Sequence, residues 1–274
     1  MSTFFSWLSF DFMKLAFLAI LIITPLFGLL GTMIVSRRMA FFSDALGHSA
    51  LTGIAVGVVC GMQDTNLSMI LFAIVFALIL NRLSSKNTGT TDTVISVFSS
   101  FCIALGLAIL SKGGNFGKYS GLLVGDVLGI TKKETLALFI LLILTFLFWC
   151  FCGNMLEAMS LHRTLAKSRQ MPVTLLEYLF AVLVALVVML SIKWVGILII
   201  NALLILPAAS ARNLSENLRE YHFFAVLFSL FSGVLGLIVS YYTNVATGPM
   251  IVIVASVIYF ATYLYGEHST GGSK

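Results

Sequence analysis

Asp44 and His48 lie four residues apart in the stretch RRMAFFSDALGHSALTG, a carboxylate and an imidazole inside an otherwise apolar run. Four residues make about one helical turn, so both side chains project from one face. An ionisable group in such a run costs roughly 2.5–3.5 kcal/mol to bring into a membrane, so its presence calls for a reason. Carboxylate oxygen with imidazole nitrogen suits zinc, manganese or ferrous iron. Two donors on one helix make only half a site; the rest would come from another helix, a second copy of the chain, or water. A site that must release its ion is better left incomplete, because a closed tetrahedral set would retain it. The same pair would serve equally well as an intramembrane hydrogen bond that fixes helix packing.

The chain that carries them has 274 residues, 59% hydrophobic and 10% charged, with a mean hydropathy of +1.06. Soluble domains carry roughly 45–50% apolar and about 25% charged residues. This composition excludes a cytosolic enzyme, a secreted module and a disordered chain, and it predicts an all-α integral membrane protein in a bilayer. At about 20 residues per span, the apolar runs at 13–35, 42–60, 66–83, 93–111, 135–153, 173–192, 194–211, 222–241 and 248–265 predict about nine transmembrane helices, or eight if two short runs merge. Residues 1–274 then form one transmembrane domain with short loops and no room for a nucleotide site. Energy must come from an ion gradient or from a partner chain.

The formal charge of +5 sits in short loops and serves orientation rather than nucleic-acid binding. With the N-terminus outside and the C-terminus inside, all seven arginines and three lysines (Lys86, Lys167 and Lys274) fall inside, against six lysines outside. Residues 1–14 read as an aromatic-rich interfacial segment rather than a cleaved signal peptide. The four cysteines, Cys60, Cys102, Cys150 and Cys152, are expected to be buried structural thiols.

Several further segments are informative. Gly53, Gly57 and Gly61 recur every four residues and predict a stripe for close helix approach, which would hold Asp44 and His48 in place. Segment 156–172 is the most charged internal stretch. Its portion LHRTLAKSRQ predicts a short helix along the membrane face, either a solvated connector or a docking helix for a cytosolic partner. Between spans, 112–134 predicts a loop holding a short helix, with Asp126 capping it or lining an entrance. Asn201 and Pro207 mark a polar, kinked span that would line a pathway or bond to a neighbour. Glu177 and His222 read as interfacial or structural. The chain has no HExxH, GxSxG or Walker-type glycine loop.

Four segments, SRRMAFFSDALGHSALTG, LLVGDVLGIT, IKWVGILIINALLILPAASAR and TGPMIVIVAS, together resemble the membrane permease subunits of bacterial ABC importers for zinc, manganese or iron. The resemblance covers nearly the whole chain. It implies a homodimeric pathway in the bacterial inner membrane, two cytosolic ABC ATPase subunits and an extracytoplasmic metal-binding protein. No cofactor is permanently bound; the divalent metal is cargo. The family's second-helix Asp and His fall on Asp44 and His48 as metal-pathway residues. Its ATPase-coupling segment falls at about 161–172, on Arg163, Leu165, Ala166, Lys167 and Ser168, with Gln170 where many relatives carry Gly. The string RRMAFFSDALGH and the segment around IKWVGILII look nearest to zinc-type relatives. The rival readings are a gradient-driven metal transporter that works alone and an intramembrane metalloenzyme.

Overall fold

Long runs of Leu, Ile, Val, Phe and Ala, interrupted at intervals by short polar stretches, leave helices as the only way to satisfy the backbone in lipid. The computed structural model describes residues 10–62, 64–86, 91–113, 116–161 and 163–271. They form α1 (Asp11–Ser36), α2 (Ala40–Val59), α3 (Thr65–Lys86), α4 (Thr91–Lys112), α5 (Phe116–Tyr119), α6 (Lys132–Leu161), α7 (Arg163–Ser168), α8 (Val173–Val195), α9 (Ile197–Leu214), α10 (Leu218–Thr243) and α11 (Thr247–Gly271). Among the described residues there is no strand. Among the described residues eight helices are long and apolar enough to cross a membrane, while α9 offers only the shorter apolar stretch Ile199–Leu214.

Helices α1 and α2 bury 72% of their apolar windows and α8 buries 67%, whereas α6 buries 22%. The first three form the centre, and α4, α6 and α11 form the rim. Phe146 and Phe151 of α6 and Phe260 of α11 stand exposed on the outside. Against lipid tails such side chains carry no burial penalty, so close packing must come from small residues at the interfaces. Gly53 and Gly57 do this on α2: a Cβ on Gly53 would press on Met69 and Phe72 of α3, and one on Gly57 would run into Ser68. Gly61 departs from the predicted stripe. It lies past the end of α2 with φ +69° and nothing within 4 Å of its Cβ position, so it makes the turn and packs against nothing.

Several boundaries differ from the sequence pattern. The fifth run continues beyond 153 to Leu161, because 154–161 contains no Gly or Pro and Leu156 and Met159 remain buried on the bundle side. The break between α8 and α9 falls at Gly196, with φ +91°, instead of at Lys193. Lys193 stays in the last turn of α8, where its ammonium pairs with Glu134 at the start of α6.

Segment 116–131 folds onto the bundle rather than hanging outside it. After α5 come two 3₁₀ turns, Ser120–Leu123 and Val127–Gly129. Asp126 caps the second turn by accepting from the Leu128 and Gly129 amides at 3.0 and 3.2 Å, while its own N–H donates to the Lys193 carbonyl at 3.2 Å. Val127 and Ile130 are buried. Gly125, with φ +74°, touches Gly196 backbone to backbone, and a Cβ on either residue would overlap the other segment.

Helices α2 and α9 run antiparallel in contact: Gly47 lies against Ile200 and the Ile197 carbonyl, and Ser43 meets Asn201. Had both helices crossed the full bundle, the first turn of α9 would meet the last turn of α2. It meets the second turn instead. Helix α9, about 27 Å long at 1.5 Å per residue, therefore begins partway through the bundle, where it meets segment 116–131 at Gly196.

Candidate functional site

Asp44 and His48 occupy the second and third turns of α2 and face the same way, with His48 Nε2 3.7 Å from Asp44 Oδ1. Their side chains are 45% and 30% exposed, in contrast to Ser43, Ala45, Leu46 and Gly47 around them, which are buried. One face of this turn is therefore packed and the other open. The first turns of α9 lie against this part of α2 and bring Asn201 to the acid: its Nδ2 donates to Asp44 Oδ1 at 3.2 Å. Ser43 Oγ contacts Asn201 Oδ1 at 2.6 Å.

Among the described residues no group of three or more His, Cys, Asp or Glu side chains comes together. The pair thus offers one carboxylate and one imidazole to a cation, with further positions left to water, amide or hydroxyl oxygen, or a second chain. Weak, incomplete coordination suits an ion that stops briefly and leaves.

The segment expected to couple to an ATPase has a different local logic. Helix α7 is only six residues long and is closed by the Met171 N–H bonding the Ala166 carbonyl at 3.2 Å, with Gln170 left-handed at φ +57° between them. This is the helix-ending arrangement in which glycine is the usual occupant. The α1–α2 corner uses the same arrangement, with Arg38 at φ +56° and the Met39 N–H bonding the Ile34 carbonyl at 2.8 Å. Ala166 is buried against its own chain, while Ser168, Arg169 and Gln170 are exposed. The backbone of Arg163, Leu165 and Lys167 lies in α7; their side chains lie outside the described residues.

Helices α6 and α8, on either side of α7, are both tied to the end of α1. Glu157 Oε1 lies 2.7 Å from His222 Nε2 of α10, whose Nδ1 lies 2.9 Å from Thr32 Oγ1 of α1. The Trp149 ring stands perpendicular to this imidazole, in edge-to-face contact. Glu177 of α8 pairs with Arg37, just past α1, at 3.2 Å, and that guanidinium also lies over the Phe180 ring. Sequence reasoning noted Glu177 and His222 but supplied neither partner, since the pairs join residues 140 and 65 positions apart. Ser43 was missed altogether; a hydroxyl next to the acid in an apolar turn was the only signal. Of the cysteines, Cys102 is buried but Cys60 and Cys150 are exposed, contrary to expectation: Cys60 sits in the turn after α2 and Cys150 on the rim helix α6. His162 and residues 1–9 lie outside the described residues.

The fold is a multi-helix membrane bundle in which one open turn presents an acid and an imidazole. The model of the ABC 3 transport family matches residues 9–266, and the chain belongs to that family: it is a transport permease subunit, not an enzyme, with ATP hydrolysed by partner chains. It is 28% identical over 258 residues to the manganese transport system membrane protein MntC of Listeria innocua, covering 94% of this chain and 92% of that one. It is 29% identical over 231 residues to the high-affinity zinc uptake system membrane protein ZnuB of Haemophilus influenzae, covering 84% and 88%. Among solved structures, PsaBC from Streptococcus pneumoniae in complex with Fab superposes with a TM-score of 0.83 at 28% identity, covering 95% of this chain and 94% of that one.

Proposed function

We propose that this chain forms, as a pair of copies, the pathway of an ATP-driven importer for a divalent transition metal, zinc or manganese, in a bacterial inner membrane. Two cytosolic ATPase subunits engage α7 and an extracytoplasmic binding protein delivers the ion at the opposite end. The N-terminus faces outside and the C-terminus inside, so that the arginine-bearing corners lie in the cytosol. The observation that carries the reading is the Asp44–His48 pair: two donors of suitable chemistry on an open helix face, held by an antiparallel neighbour and, among the described residues, joined by no third His, Cys, Asp or Glu as a resident metal site would have.

Asp44 and His48 replace part of the ion's water shell as it passes. ATP binding draws the ATPase subunits together and moves α7, and with it α6 and α8. Relatives named for zinc and for manganese are about equally similar, and an Asp–His pair accepts either ion. Vesicles reconstituted with the permease, its ATPase and the binding protein should accumulate zinc or manganese only when ATP is supplied. Accumulation by vesicles holding this chain alone would overturn the proposal in favour of a gradient-driven carrier.

A further inference from the structure

We propose that Asn201 is a positioning residue: its amide, oriented by Ser43, fixes the Asp44 carboxylate so that one oxygen is presented to the passing ion. The inference rests on the reading of Asp44 and His48 as that ion's foothold. An ionised carboxylate only accepts hydrogen bonds, so the amide nitrogen must face Asp44 and the amide oxygen must face away. On that other side stands Ser43, whose hydroxyl contacts Asn201 Oδ1 at 2.6 Å, closer than its second acceptor, the Ala40 carbonyl at 2.9 Å. The Ser43 side chain is buried, so its direction is set by packing. A chain of contacts thus runs from a fixed hydroxyl through the amide to the acid.

Its chemical effect is specific. Asn201 Nδ2 and His48 Nε2 both address Asp44 Oδ1, and among the described residues Oδ2 accepts no hydrogen bond. The half-exposed carboxylate would otherwise turn freely about its side-chain bonds; with Oδ1 tethered, Oδ2 is left at a defined place beside the imidazole. The tether is neutral. A lysine or arginine there would hold the acid as well but would repel an arriving dication, whereas an amide steadies the anion and adds no charge.

The alternative is that Ser43 and Asn201 merely join α2 to α9. Zinc uptake per ATP hydrolysed, measured in vesicles holding the permease with its ATPase and binding protein, separates the two. Asn201→Leu, close in size but without a donor, should lower that ratio between about 10- and 100-fold, as loss of a group that orients a metal ligand does. Ser43→Ala should lower it less, and the double variant should match Asn201→Leu, because Ser43 acts only through the amide. A packing role would reduce uptake and hydrolysis together, leaving the ratio unchanged, and would overturn the inference; additive losses in the double variant would do the same. If Asn201→Leu does not assemble, Ser43→Ala decides, and an unaltered ratio counts against the proposal. Asp44→Asn is the reference. Should it silence uptake while Asn201→Leu does not, only the positioning role falls; should it leave uptake intact, the foothold itself is elsewhere.

Discussion

Arg37 donates to Glu177 across 3.2 Å, and the two side chains, 13% and 8% exposed, are nearly sealed from solvent. The pair joins the corner that leads into α2 to the first turns of α8. Asp44 lies seven residues beyond Arg37, and α8 begins five residues after α7 ends. One ion pair therefore links the start of α8, which follows α7, to the corner that leads into α2.

Removing one member of a buried pair leaves the other's charge without that compensation. Glu177→Leu should destabilise the permease by about 3 kcal/mol, and Arg37→Leu/Glu177→Leu should recover much of that loss. Thermal unfolding in detergent measures both. A double variant as unstable as the single would mean that the carboxylate contributes through other contacts.

The Glu157–His222–Thr32 chain ties α6, and so the entry to α7, to α10 and α1. His222→Leu should leave ATP hydrolysis by the assembled transporter while reducing metal uptake, because α6 can then move without carrying α1. Parallel measurement of hydrolysis and uptake checks this. Unchanged uptake would assign the coupling to α8 alone.

At Gln170 the left-handed backbone costs a side-chain-bearing residue about 1 kcal/mol relative to glycine. Gln170→Gly should raise the unfolding midpoint of the purified permease. A lowered midpoint would mean that the exposed amide side chain holds the corner by a contact worth more than the strain.

Asp44→Asn and His48→Ala should each abolish metal accumulation while the permease still co-purifies with its ATPase. Cell-associated metal, read by elemental analysis, checks the outcome. Normal accumulation in both variants would remove the site assignment.

Much of this molecule was legible in one dimension, because lipid forces every crossing segment to be both apolar and helical. The spans, the Asp44–His48 turn and the short helix near 163 all follow from local pattern. What the pattern missed depends on distance along the chain or on a single backbone angle. Glu157 looked like the start of a polar connector, yet its bond to His222 gives its carboxylate a partner inside the bundle as α6 continues past it. Lys193 looked like a break because it is charged, yet its long stem lets it remain helical and reach Glu134 while Gly196 makes the turn. Gly61 fits a four-residue stripe in the sequence and falls off the helix in space. Asn201 was noticed as polar, but its neighbours Ser43 and Asp44 lie some 160 residues away.

Gly125 and Gly196 meet with nothing but main chain between them. Two peptide planes in direct contact have no side-chain rotamers to absorb a shift, so a displacement of the 116–131 segment meets the elbow ahead of α9 directly. A side chain at either position would force the two apart, which ties the geometry of one segment to that of the other.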